Sequence, residues 1–273
     1  MRRFDPWPHA MAASMWGNAG LIRTLMAREI LGRYRGSALG LLWSLFNPIF
    51  MLGVYTFVFG VVFKARWGSD SSGSPSEYAL TLFVGLIAFN LFAECVNRAP
   101  GLILANANYV KKVVFPLEVL PIVNLGAALF HALVSLAVWL IFFLLLSGIP
   151  PWTALWVPAT LVPLALWVLG VSWALASLGV YLRDVGQVVG LAMTSLMFLS
   201  PVFYPASALP ERLRPIFELN PLTSIIEMMR QVLMAGQRPS LTQLGVQCVV
   251  AFLAASLGFA WFQKTRRGFA DVL

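Results

Sequence analysis

The sequence predicts an all-α membrane protein with six transmembrane helices, and three observations carry that expectation. First, 59% of the 273 residues are hydrophobic, only 11% are charged, and the mean hydropathy is +0.80. Second, six stretches are long and apolar enough to cross a bilayer, which takes about 20 residues each. Third, Lys and Arg gather in alternate connecting segments, as cytoplasmic loops do. An ordinary soluble domain carries about a quarter charged residues. A chain of 30.0 kDa cannot enclose this much apolar surface in water, so the solvent of the spans is lipid.

The elements are taken in chain order as one domain, 1–273. Residues 18–35 form an interfacial helix: Leu21, Ile22, Leu25, Met26 and Ile30 cover one broad side, with Arg28 and Arg35 opposite. Glu29 and Arg33 interrupt the apolar side. The spans are expected at 37–63, 78–96, 118–146, 154–181, 186–204 and 241–262. A polar loop, 64–77, joins the first two, and the double proline of Ser147-Gly148-Ile149-Pro150-Pro151 stops the third. Pro201-Val202-Phe203-Tyr204-Pro205 breaks the fifth. The helices expected within 207–235 are too short and too charged (Glu227, Arg230) to cross alone, so they read as re-entrant or surface-lying, with broken backbone shielded by protein.

Charge sets the orientation. With the N-terminus inside, thirteen of the nineteen basic residues fall in cytoplasmic segments, and six spans return the C-terminus to the same side. The first 36 residues are polar and basic, so no cleavable signal peptide is expected and the first span serves as its own insertion signal. The net charge of +8 is therefore a topological mark. No nucleic-acid partner is expected, since base-stacking aromatics are not interleaved with the basic residues.

The chemistry-bearing residues are few. No GxxxxGK[ST] phosphate loop, His-Glu-x-x-His pair or Gly-x-Ser-x-Gly elbow occurs. Cys95 and Cys248 lie in apolar stretches, and His9 and His131 stand apart in the sequence. No catalytic residue, metal or cofactor is expected in this chain. Glu94 is the main charge within a span, accompanied by Asn90, Asn97 and Arg98. Glu94 and Arg98, four apart on a helix, read as a local ion pair near the cytoplasmic end; a proton relay is the other reading. Trp43, Phe46, Phe50 and Phe57 fall near one helical stripe, with Tyr55, Phe59 and Phe63 on a neighbouring face. Phe198, Phe203 and Tyr204 end the fifth span. Such aromatics either line a path for sugar rings or pack against lipid and other helices.

Several ordered motifs carry a resemblance that covers nearly the whole chain. They are Arg28-Glu29-Ile30-x-x-Arg33-Tyr34-x-x-Ser37-x-Leu39-Gly40-x-x-Trp43 running to Asn47-Pro48, and Asn106-x-Asn108-x-Val110-Lys111-Lys112-x-x-Phe115-Pro116-x-Glu118-x-Leu120-Pro121. Tyr181-x-Arg183-Asp184, Ser200-Pro201-Val202-x-Tyr204-Pro205 and Asn220-Pro221 follow. In this order among six spans, the chain resembles permease subunits of bacterial ABC exporters for lipid-linked polysaccharide, with O-antigen favoured over capsule or teichoic acid.

The resemblance implies a multi-pass protein of the bacterial inner membrane, acting as a homodimer with two separate cytoplasmic ATPase subunits that bind ATP and Mg. It implies a coupling helix at 106–116, including Asn106, Asn108, Lys111, Lys112, Phe115 and Pro116, and outer gate helices at 207–235. It also implies a path lined by the first and fifth spans, hence by Trp43, Phe46, Phe50, Phe57, Phe198, Phe203 and Tyr204. Arg28, Arg33 and Arg35 are candidates for the phosphates of a lipid carrier, Arg being suited to bidentate phosphate contacts; orientation anchoring is the alternative. Membrane lipids are further partners. A lipid- or drug-exporting ABC permease is the nearest competing function. A polytopic transferase acting on polyprenyl lipids stands further off, with Glu94, Glu118 and Asp184 as its acidic candidates.

Overall fold

The computed structural model describes residues 7–63, 75–111, 115–212 and 214–273, and every regular element among them is helical. Two helices precede the first span: α1 (Pro8–Gly17) and α2 (Ala19–Tyr34). The first span is composite. A 3₁₀ turn (Gly40–Leu42) leads into α3 (Trp43–Tyr55), which opens into a π-helical stretch (Thr56–Val62). Next come α4 (Pro75–Arg98), the short α5 (Ala107–Lys111), α6 (Val119–Leu146) and α7 (Val157–Tyr181). The chain continues through α8 (Val185–Leu199), α9 (Arg214–Glu218), α10 (Pro221–Leu233), α11 (Leu241–Thr265) and α12 (Phe269–Val272). Neither α1 nor α12 was expected from the sequence.

Among the described residues, five helical stretches are long and apolar enough to cross a membrane: Gly40–Val62, Ser76–Gly101, Val119–Leu146, Trp152–Tyr181 and Leu241–Val272. The segment expected at 186–204 is shorter. Its helix α8 has 15 residues, about 22 Å at the helical rise against a hydrocarbon core of about 30 Å. Extended backbone begins at Ser200.

The bundle holds together by close backbone approach. α7 and α11 form the most extensive helix pair, and they meet through glycine. A Cβ on Gly258 would lie 2.1 Å from the Gly170 carbonyl oxygen, and one on Gly170 would lie 2.6 Å from that of Ala254. Small residues at such crossings suit membranes, where packing rather than water exclusion drives association. α4 is the central helix: between Tyr78 and Pro100 it is buried at nearly every position.

The two ends of the bundle are distinct. At one end, Arg266 pairs with Glu118 at 2.5 Å and donates to the Phe115 carbonyl at 2.7 Å, and Ser14 donates to Glu118 at 3.0 Å. Tyr181 donates to the Thr265 carbonyl there, and Gly179 lies against Pro100. Helix α1, the C-terminal segment, the α4–α6 connection and the α7–α8 turn thus gather together. At the other end Tyr78 donates to the Phe203 carbonyl (2.7 Å), Thr153 to Val232 O (2.6 Å) and Asn220 to the Ser200 hydroxyl (2.9 Å).

α10 explains how broken backbone survives there. Its Leu222, Ile225, Ile226, Met229 and Val232 are buried as it packs on α4 and α7. Arg230, 4% exposed, donates to the carbonyls of Pro201 (2.5 Å), Val202 (2.7 Å) and Thr81 (3.2 Å), and to Glu227 at 3.1 Å. Burial pushes its guanidinium down to about 10, with Glu227 opposing, so it stays charged at neutral pH. One cation therefore satisfies carbonyls that the helix break after α8 leaves without donors.

Candidate functional site

α4 has one open face. Between Tyr78 and Pro100 only Asn90 and Asn97 are exposed, with Glu94 and Arg98 half-buried. The spacings 90, 94 and 97 put two amides and a carboxylate on a single helical stripe. That stripe floors a groove of about 700 Å³, walled by Trp43, Ser44 and Asn47 of the first span, by His131 and Ser135 of α6, and by Arg33 and Tyr34 of α2.

A network of charge and hydrogen bonds closes the α2 side of the groove. Arg33 Nη1 lies 2.7 Å from Glu94 Oε1, and His131 Nδ1 lies 3.0 and 3.1 Å from the two carboxylate oxygens. Facing a carboxylate, Nδ1 carries the proton. Nε2 is then the acceptor for the Tyr34 hydroxyl at 3.1 Å. Arg33 Nη1 and His131 Nδ1 sit 3.0 Å apart, both turned to the same carboxylate. Burial pushes the Tyr34 phenol above its usual value, which keeps it protonated and able to donate.

This arrangement corrects two expectations. Glu94 does not pair with Arg98 along α4, and His131 does not stand apart. The cause is the docking of α2, which packs on α6 and lays its apolar side on the bundle with Ile22 and Leu25 buried. The two charges that interrupted that side are the ones that meet α4: Glu29 pairs with Arg98, and Arg33 with Glu94. Partners from another helix displace the weaker pair along one helix, whose worth at an exposed surface is only a few tenths of a kcal/mol.

The other site residues expected from sequence scatter over several places. Trp43 borders the groove. Phe46 sits edge-on to Trp43 at 5.4 Å and stacks on Phe50 at 6.0 Å, and both are exposed on the outer side of α3. Phe57 is exposed in the π-helical stretch. Phe198 stacks on Phe203 and Phe203 on Phe59, which meets Tyr78 at a tilt, in a separate cluster at the far end, where Tyr204 donates to the Phe198 carbonyl. Arg28 donates to the Tyr109 hydroxyl at 3.0 Å, while Arg35 borders a shallow hollow with Leu31 and Leu41.

In the 106–116 stretch, Asn106 donates to the Leu102 carbonyl, and Asn108 lies in α5. Lys111 ends α5, and Lys112 lies outside the described residues. Phe115 stacks on Tyr109 at 4.4 Å, and Pro116 O accepts from Val119 N. The sequence reading gave no site role to His131, Tyr34 or Asn47, though it named all three, and did not single out Ser44, Ser135 or Tyr109. Only a histidine inside a span signalled one of them.

The acidic candidates for a transferase do not converge. Glu118 is held by Ser14 and Arg266, Glu94 by Arg33 and His131, and Asp184 is exposed at the head of α8. Among the described residues, no group of three or more His, Cys, Asp or Glu side chains is placed to hold a metal ion. The groove's polar lining offers hydrogen bonding.

Comparison with known proteins gives a consistent result. The family described as ABC-2 type transporter matches residues 20–234. The O-antigen export system permease protein RfbA of Klebsiella pneumoniae is 27% identical over 268 residues, covering 96% of this chain and 100% of that protein. The protein of the same name from Myxococcus xanthus is 27% identical over 254 residues, 92% of this chain and 95% of its own length. The polysialic acid transport protein KpsM of Escherichia coli is 24% identical over 254 residues, 89% and 92% of the two chains.

Proposed function

Because this chain belongs to the ABC-2 type transporter family, we propose that it is the membrane half of an ATP-driven exporter that moves lipid-linked polysaccharide, O-antigen in preference to capsule or teichoic acid, outward across the membrane. The chain is a transporter subunit and not an enzyme, and a multi-pass protein of the bacterial inner membrane. The observation that carries the reading is the open stripe of Asn90, Glu94 and Asn97 on an otherwise buried central helix. Two amides facing acyl chains are costly. They belong beside a polar passage.

The topology that goes with this function has six crossings and both termini in the cytoplasm. α8 supplies the crossing beyond the five long helices. The turn before it lies at the end where Gly179 meets Pro100, and the segment after it reaches Arg230 and Thr81 at the other end. The gathering of α1, the C-terminal segment and the α4–α6 connection at one end fits an inner face rich in Lys and Arg. There α5 and its surroundings are the coupling element for a pair of ATPase subunits, each binding ATP and Mg, on a homodimer of this chain. Closure of the ATPases displaces the bundle through that element as a rigid body. The helices within 207–235 act as the outer gate, and the first and fifth spans, with Trp43 beside the groove, border the path.

The test is co-expression with an ATPase subunit encoded beside it. A stable complex is expected whose ATP hydrolysis responds to the permease. Failure to form a complex, with hydrolysis indifferent to the permease, overturns the proposal.

A further inference from the structure

The geometry points to the α4 groove as a binding site for uncharged, hydroxyl-rich sugar units rather than for the phosphates of a lipid carrier. The inference rests on the export reading above and specifies the chemistry that this part of the protein recognises. Charge decides first. The groove's one guanidinium, on Arg33, is committed to Glu94, and His131 shares that carboxylate while Tyr34 occupies its other nitrogen. Of the neighbouring cations, Arg98 pairs with Glu29, Arg28 donates to Tyr109, and Arg35 borders the separate hollow beside Leu41 rather than the groove. A phosphate entering here would have to take Arg33 from Glu94 and leave the half-buried carboxylate to His131 alone, which is costly. The described lining has no cation in excess.

Polar capacity decides second. Asn47, Asn90 and Asn97 are exposed to the groove, and none of their amides is engaged by another described side chain or backbone group. Each amide offers two donors and an acceptor, which matches the mixed donor and acceptor character of sugar hydroxyls and does not match an all-acceptor phosphate. Trp43, 41% exposed at the rim, adds a flat apolar surface for the C–H face of a ring. The volume of about 700 Å³ lies within the range of about 300–1,000 Å³ usual for small-ligand sites. Asn90 stands past the middle of α4, so an acyl chain in its place would strand the amide.

The experiment uses the full chain in cells that make the polysaccharide. A photo-crosslinking phenylalanine derivative is placed at Asn90, at Asn97 and, as a lipid-facing control, at Leu253 of α11. After irradiation the adducts are trimmed and identified by mass spectrometry. Sugar residues without phosphate are expected at 90 and 97, and acyl chains at 253. Separately, Asn90→Leu with Asn97→Leu is expected to lower export about tenfold through lost hydrogen bonds, and Trp43→Leu is expected to lower it while the ATPase complex still assembles. Adducts to a diphosphate or to acyl chains at 90 and 97, or wild-type export from both variants, overturn the inference. Export that proceeds without this chain overturns the transport reading instead, so the two failures are told apart by the deletion strain.

Discussion

Replacing Arg230 by Met tests the physical account of the fold most directly. In the native protein the guanidinium donates to the carbonyls of Pro201 and Val202, which lie in irregular backbone, and to that of Thr81 inside α4. Thr81 keeps its helical donor when the arginine is removed. The other two carbonyls lose theirs, at about 1–3 kcal/mol each for a buried unsatisfied group. Against this, methionine avoids the several kcal/mol of desolvation borne by a buried cation, and it fills much of the volume. The net expectation is a loss of about 2–4 kcal/mol, larger than most single substitutions. Arg230→Lys keeps the charge but cannot reach three carbonyls in a planar fork, so it should recover only part. Thermal unfolding of the detergent-solubilised protein, followed by circular dichroism, reads the order wild type above Lys above Met. A Met variant as stable as wild type refutes the claim that this cation satisfies the broken backbone. Gly85→Ala checks the same site from the other side, because its Cβ would come within 2.7 Å of Arg230 Nη2.

Other expectations follow from the same contacts. Gly258→Val forces α7 and α11 apart and should destabilise by about 1–3 kcal/mol, lowering the melting temperature, whereas Gly245→Val, with open space around it, should leave it near the wild-type value. Glu94→Gln removes the charge that Arg33 and His131 share; export should fall, and a second change, Arg33→Gln, should restore part of it, which a double-mutant cycle measures. Tyr109→Phe removes the hydroxyl that Arg28 meets and should weaken the permease's stimulation of ATP hydrolysis more than it weakens complex assembly, read by hydrolysis assays on the purified complex. Unchanged stimulation would detach Arg28 from the coupling element.

The sequence by itself determined what composition and local pattern can determine: a helical architecture among the described residues, apolar helices long enough to cross a membrane, and a helix before them. Those properties are carried by runs of twenty apolar residues and by prolines, and they need no knowledge of neighbours. Even the polar stripe on α4 was visible as Asn90, Glu94 and Asn97. Tertiary structure alone decided who answers that stripe. Glu94 pairs with a residue sixty-one positions earlier and one thirty-seven positions later, and the choice of Arg33 and His131 over Arg98 depends on how α2 docks. The same holds for Arg230, whose charge made α10 read as too charged to cross alone, and whose partners, the carbonyls of Pro201 and Val202, only the fold supplies. A charge inside a membrane protein is tolerated only where other segments bring it partners, and bringing distant segments together is what folding does.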